Sequence, residues 1–309
     1  MSMEPALAAF QNPFARYFAA TRPAFLTASL MACLIGLAIV RHDGLVFDVG
    51  TAIVTLLFAL LAHAGANVLN DYYDAQNGTD ACNVERVYPF TGGSRFIQNG
   101  VLTELQTRNF GFALLACVML AGLWLMANSV AQLFYIGIAG LFIGWAYSAP
   151  PFRLNSRGLG ELCIALGFLL IIVGADFVQR RAFAAAPFVA GLSYALLASN
   201  LLYINQFPDR SADMAAGKLH WVARLEVQHA RWGYVLIMVM AYLWLLLSVL
   251  MGWLPALVLL AVLALPLSVK AASLLLRHAA QPQQLGDAIK LTIAAMLAHG
   301  ALLAFALII

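Results

Sequence analysis

The sequence predicts an all-α polytopic membrane protein of nine transmembrane helices, with its N-terminus in the cytoplasm. Three observations carry that prediction. Of the 309 residues 63% are hydrophobic and 10% charged, and the mean hydropathy is +0.87; a soluble domain of this length has too little interior to hide so much apolar surface. Nine apolar runs recur, at roughly 24–40, 51–70, 109–127, 131–148, 160–178, 187–205, 232–251, 254–270 and 288–309, most of them near the ~20 residues a helix needs to cross the hydrocarbon core. In a nine-span topology with the N-terminus inside, only Arg41, Arg180 and Arg181 fall in outer loops, and the other 14 of the 17 Lys and Arg fall inside, as expected of cytoplasmic loops. The net charge of +3 then reflects topology. It gives no reason to expect nucleic acid, and nothing in the sequence marks an obligate protein partner.

The elements follow in order. A polar, aromatic-containing stretch without a small-residue cleavage site precedes the first span, which therefore reads as a retained helix begun at Arg22-Pro23. The second leaves TAIVTLLFALLAHAGA for NVLNDYYDAQNGTD, residues 67–80, and a polar inner loop follows over about 71–108. After the fourth span, a short inner loop carries Arg153 and Arg157. Glu161 opens the fifth, where a first-turn acid suits the helix dipole. Near the outer end of that span Asp176 and Arg180 stand at i,i+4, a local ion pair. The sixth ends in NQFPDRSAD, where Pro208 should kink or end the helix, and a second polar inner loop spans about 206–231. Three further apolar spans complete one membrane-embedded domain over 1–309. Cys33, Cys82, Cys117 and Cys163 form no C-x-x-C pair and read as small packing residues.

The chemistry gathers at the ends of the second and sixth spans. Asn67 and Asp71, and Asn70 and Asp74, are i,i+4 pairs on one helix face. Asn205, Asp209 and Asp213 repeat at i,i+4 four spans later, and NDYYD aligns with NQFPD as a weak internal repeat. Four carboxylates facing one another beside a low-dielectric bilayer repel strongly. A hard divalent cation relieves this, and Mg²⁺ commonly binds through a few carboxylates plus the oxygens of a substrate phosphate. Cations suited to an anion stand close by: Arg22, Arg86, Arg95 in TGGSR, Arg153, Arg157, and Lys218 at the end of AAGK. The stretch Asn77-Gly78-Thr79-Asp80 reads instead as a turn, with Asp80 a turn residue. Inner-loop Arg and Lys are also expected from topology alone. A cation-coupled transporter is the rival reading, since intramembrane carboxylates mark ion paths, but these acids lie at helix ends beside cations. A non-catalytic isoprenoid binder is a further rival; it has no need of four carboxylates and Lys218 together.

Arg22-Pro23, NDYYDAQNGTD, GGSR, YSAPPFRLNSRGLGE at 147–161 and PDRSADMAAGK at 208–218 occur in an order that resembles the UbiA-type intramembrane prenyltransferases over most of the chain. The match is most similar to the 1,4-dihydroxy-2-naphthoate polyprenyltransferase branch. The resemblance implies nine helices around a central cavity with a cytosolic polar cap and a lateral lipid opening. It implies Mg²⁺, a polyprenyl diphosphate donor, an aromatic acceptor, and residence in the inner cell membrane with the site facing the cytoplasm. By position Asp71, Asp74, Asp209 and Asp213 match the metal–diphosphate carboxylates, with Asn67 and Asn70 beside them, and Arg22, Arg95 and Lys218 match basic positions around the diphosphate; Asn205 is a further substrate-binding candidate. Gln206 stands where many members carry Asp, and Asn155 where the naphthoate branch often carries Lys. Tyr72, Tyr73 and Tyr147 are at the right depth to face an allylic cation.

Overall fold

The computed structural model describes residues 4–309, and no strand occurs among them. Twelve α-helices follow one another: α1 Pro13–Ala20, α2 Pro23–His42, α3 Val49–Gln76, α4 Thr79–Cys82, α5 Glu104–Asn128, α6 Leu133–Ala146, α7 Gly160–Arg180, α8 Ala186–Ala215, α9 Trp221–Arg224, α10 Val227–Leu250, α11 Leu265–His278 and α12 Gly286–Ile308. A 3₁₀ stretch, Ala256–Ala264, runs directly into α11. Among the described residues, eight helical segments are long and apolar enough to span a membrane, counting that stretch with α11 as one. The remaining apolar run, the fourth at 131–148, forms α6, which has only 14 residues.

The helix starts follow local chemistry. Asp48 caps α3 by accepting from the Thr51 amide at 2.6 Å. Thr103 and Gln106 form a reciprocal capping box at α5. Of the two outcomes expected at Pro208, a kink or an end, the helix end does not occur; α8 continues to Ala215. A proline inside a helix removes one backbone hydrogen bond, and here Pro208 is buried among tertiary contacts that hold the helix through it.

The bundle is arranged around α8, whose apolar window is 72% buried against 22% for α5. Small residues let neighbouring helices approach. At Gly36 of α2 an added Cβ would run into the Ile172 carbonyl of α7, and at Gly300 of α12 into the Tyr194 ring of α8. Buried phenols find partners inside the bundle: Tyr194 donates to the Ala28 carbonyl at 2.7 Å and Tyr203 to the Ala230 carbonyl at 2.7 Å. Ser193 and His299, both fully buried, pair at 3.0 Å and the other ring nitrogen meets the Ala261 carbonyl at 3.2 Å, so this Ser–His pair is sealed packing.

The expected pair at the far end of α7 is present and larger than the sequence suggested. Arg180 meets both Asp176 oxygens at 2.7 Å and reaches Asp43 at 2.6 Å. Because Asp176 is buried, removing it costs Arg180 its bidentate partner and leaves the guanidinium with Asp43 alone. Asp176→Ala is expected to cost about 2 kcal/mol, read as a lowered melting temperature in detergent with enzymatic turnover kept.

Candidate active site

The ends of α3 and α8 open onto one cavity of about 120 Å³, lined by Asn70, Asp74, Asp80, Asn205, Gln206, Asp209, Asp213 and Lys218 among others. The sequence separates these groups by four spans; the bundle brings them to one place. Behind α8, Gly217 adopts φ +75° and turns the chain back. The Lys218 amide then donates to the Asp213 carbonyl at 2.8 Å, and the side chain enters the site. Lys218 Nζ lies 2.8 Å from Asp74 Oδ2 and 3.4 Å from Asp213 Oδ1, so one ammonium bridges the two walls. Burial alone would lower the Lys218 pKa; the carboxylates of Asp213 and Asp74 outweigh it and raise the value.

The other carboxylates are held in different ways. Asp74 also accepts from Asn70 at 3.1 Å, and Asn70 donates onward to Ser148 at 2.9 Å. Asp209 accepts from Asn83 at 2.6 Å and from the Gly92 amide at 3.3 Å. Asp213 accepts from His220 Nε2 at 3.0 Å; His220 Nδ1 accepts from the Ala223 amide at 3.2 Å, which fixes the proton on Nε2. Asp71 sits behind the cavity wall, paired with Arg22 and accepting from the Ser94 amide at 3.3 Å. Among the described residues, no three Asp, Glu, His or Cys converge as a metal cluster. The carboxylates that line the cavity are Asp74 of α3, Asp80 of α4, and Asp209 and Asp213 of α8. Asp80 Oδ2 is buried without a hydrogen-bond partner, and Asp213 Oδ1 meets only the Lys218 ammonium at 3.4 Å, oxygens suited to a hard cation that shares its coordination with ligand oxygens.

Asp80 departs from its expected place. Asn77 Oδ1 accepts from the Thr79 amide at 2.9 Å and Gly78 takes φ +81°, so the turn chemistry is as expected. The one-turn α4 that follows carries Asp80 inward, where it is 3% exposed and lines the cavity. Burial first, and then the Asp74 carboxylate, push its pKa up to about 7.

The remaining residues divide clearly. Arg22 and Tyr147 line the cavity. Burial, the largest effect on the Tyr147 phenol, raises its pKa. Asn67 donates to the Thr21 carbonyl at 3.1 Å and so anchors the start of α2. Arg86 is held by Glu4 at 2.7 Å and by the Asn83 carbonyl; Arg95 contacts the Asp80 carbonyl and lies 3.8 Å from Glu4. Neither of these two arginines lines the cavity. Arg153 and Arg157 are exposed, and Arg157 donates to the Pro151 carbonyl at 2.8 Å. Tyr72 and Tyr73 pack against each other with rings tilted by 58° and do not line the cavity, whereas Phe90 does. Asn155 lines the cavity without the charge a lysine would bring. Asn83, Phe90 and His220 were not legible from spacing, because all three lie in loops without helical periodicity.

Gly93 has φ +71°, and an added Cβ would stand 2.6 Å from Asp80 Oδ2 and 3.1 Å from Asp71 Oδ1. The left-handed backbone alone costs a side chain about 1 kcal/mol. Gly93→Ala is expected to lower turnover at least ~10-fold by displacing these carboxylates, measured as initial rate at saturating substrate.

The sequence profile described as "UbiA prenyltransferase family" matches residues 29–305. A 2-carboxy-1,4-naphthoquinone phytyltransferase of Synechocystis is 28% identical over 281 residues, covering 88% of this chain and 86% of its own. A 1,4-dihydroxy-2-naphthoate octaprenyltransferase of Escherichia coli is 29% identical over 68% of each chain. Among solved structures, a UbiA homolog from Archaeoglobus fulgidus bound to DMAPP and Mg²⁺ superposes with a TM-score of 0.64 at 17% identity, over 95% of this chain and 99% of that one. A digeranylgeranylglyceryl phosphate synthase structure superposes with a TM-score of 0.66 at 15% identity, over 96% and 98%.

Proposed function

The chain belongs to the UbiA prenyltransferase family and is a multi-pass membrane prenyltransferase; from that premise we propose that it moves a polyprenyl group from polyprenyl diphosphate to 1,4-dihydroxy-2-naphthoate, a step of menaquinone biosynthesis. The single observation that carries this reading is the shared cavity at the ends of α3 and α8, where two acidic walls face Lys218 and Arg22. Relatives named for naphthoate and naphthoquinone prenylation support the choice of acceptor. The reaction belongs at the cytoplasmic face of the inner cell membrane, the side to which the basic loops point.

Asp74, Asp80, Asp209 and Asp213 are the residues that would hold Mg²⁺ together with the diphosphate, with Asp71 supporting them through Arg22. When bound, Mg²⁺ supplies positive charge to the diphosphate oxygens. Lys218 and Arg22 add fixed positive charge where the leaving group gains negative charge. Tyr147 and Phe90 offer ring faces to the allylic cation once the C–O bond ionises. A ring carbon of the acceptor attacks the allylic carbon, and loss of CO₂ restores the aromatic ring. The surrounding apolar bundle keeps water from the cation, and the isoprenoid tail extends between helices into lipid.

The test is an assay of the purified protein in detergent with radiolabelled farnesyl or geranylgeranyl diphosphate, Mg²⁺, and 1,4-dihydroxy-2-naphthoate beside 4-hydroxybenzoate. A lipid-soluble product with the naphthoate, abolished by EDTA and restored by Mg²⁺, is expected. Diphosphate release without that product overturns the acceptor. No release with any donor overturns the polyprenyl diphosphate donor.

A further inference from the structure

Two neighbouring amides on α8 have a fixed orientation that their partners impose. Gln206 Nε2 donates to Glu161 Oε1 of α7 at 2.6 Å, and Asn205 Nδ2 donates to the Phe90 carbonyl at 3.4 Å. A backbone carbonyl can only accept, and an ionised carboxylate can only accept. Neither amide can therefore flip without setting two acceptors against each other. The consequence is that both amide oxygens face away from these partners. Gln206 Oε1 and Asn205 Oδ1 are buried and without any hydrogen-bond donor, and both residues line the cavity. Gln206 itself is 6% exposed. Beyond Gln206, Glu161 Oε2 is also buried without a donor.

A buried acceptor without a donor costs about 1–3 kcal/mol, so a native site keeps one where a ligand completes it. The cavity lining thus offers two kinds of group. Lys218 and Arg22 present donors and positive charge, which suit a diphosphate. The amide pair leaves two oxygens unpartnered and carries no charge, which suits a hydroxyl donor better than an anion. Diphosphate oxygens have no proton to offer those two oxygens. An aromatic acceptor substrate has one on its ring hydroxyl.

We infer that Gln206 and Asn205 form a hydroxyl-recognition subsite that binds a phenolic or naphtholic O–H of the acceptor, with Glu161 as the positioning residue that holds Gln206 in register. The inference rests on the proposed aromatic acceptor, and its test separates the two. The hydrogen bond from the ring O–H also directs electron density toward the ring, which favours attack by its carbon. The subsite therefore selects hydroxylated rings over their ethers. A site built to bond a substrate hydroxyl discriminates against an analogue that lacks it, because the site's own polar groups are left bare.

The experiment is equilibrium binding of 4-hydroxy-2-naphthoate and 4-methoxy-2-naphthoate to the full chain in detergent. In this probe the hydroxyl cannot bond its own carboxylate. The parent is expected to prefer the hydroxyl compound at least about 10-fold. Gln206→Leu is expected to abolish the preference, Glu161→Ala to reduce it, and Glu161→Gln to retain it, since a glutamine oxygen still accepts from Gln206. Binding of farnesyl thiodiphosphate with Mg²⁺ is expected to stay within about two-fold in all of them, which also verifies that each variant is folded. Equal binding of the two naphthoates by the parent overturns the inference. So does a Gln206→Leu variant that keeps the preference, or one that loses thiodiphosphate binding as strongly as naphthol binding, which would assign the amides to the diphosphate. Amide-dependent naphthol binding by a parent that prenylates no naphthoate upholds the subsite and removes the acceptor proposed above.

Discussion

Asp209→Ala and Asp213→Ala are each expected to lower prenyl transfer at least ~10²-fold, the scale of losing a preorganised electrostatic contact in a water-poor site. The geometry explains why neither is a surface truncation. Asp213 stands between Lys218 and His220, so its loss leaves a buried ammonium with Asp74 alone and leaves the His220 proton without an acceptor. Asp209 gathers the Asn83 amide and the Gly92 N–H, so its loss unpins the loop that covers the cavity. The measurement is the initial rate of lipid-soluble product at saturating donor, with melting temperature recorded beside it. Rates near the parent's in both variants would sink the two-walled clamp.

Lys218→Met is expected to cost ~10²- to 10³-fold in kcat. Methionine keeps most of the side-chain volume and deletes the charge. Two buried carboxylates then face each other across the gap that Lys218 bridged, and one of them must gain a proton or draw in another cation. The loss should therefore shrink, without vanishing, when Mg²⁺ is raised. Lys218→Arg is expected to restore only part of the rate, because a planar guanidinium does not reproduce a compact ammonium between two acids. A kcat for Lys218→Met within a few-fold of the parent's would show that the ammonium has no part in stabilising the leaving group.

Much of this arrangement was legible in the sequence. Apolar run length gave eight of the nine expected spans, since the bilayer demands length and hydrophobicity together, and the i,i+4 recurrence of Asp and Asn marked the faces of α3 and α8. What escaped lies where tertiary contact, not periodicity, decides the path. Asp80 sits in a sequence that reads as a turn and folds as one, yet the next residues carry it inward. His220 and Asn83 follow no helical repeat. Arg86 and Arg95 look like anion ligands by composition, but Glu4 lies against both; a contact spanning that much chain leaves no local trace. Pro208 carried the right local physics, and packing around α8 outweighed it.

The short α6 has a mechanical consequence. Fourteen residues rise about 21 Å, roughly 9 Å less than an average hydrocarbon core. At its C-terminal end Phe142, Trp145 and Phe152 form an aromatic cluster with ring centroids 5.3 to 6.5 Å apart, the type of side chain that settles at the headgroup level. Lipid beside α6 must thin to meet these rings, at a fraction of a kcal/mol per Å of mismatch. The protein therefore carries a preference for bilayer thickness. Lengthening the acyl chains around it loads that one wall, the wall that ends at Tyr147 and the cavity, more than the eight full-length segments that make up the rest of the bundle.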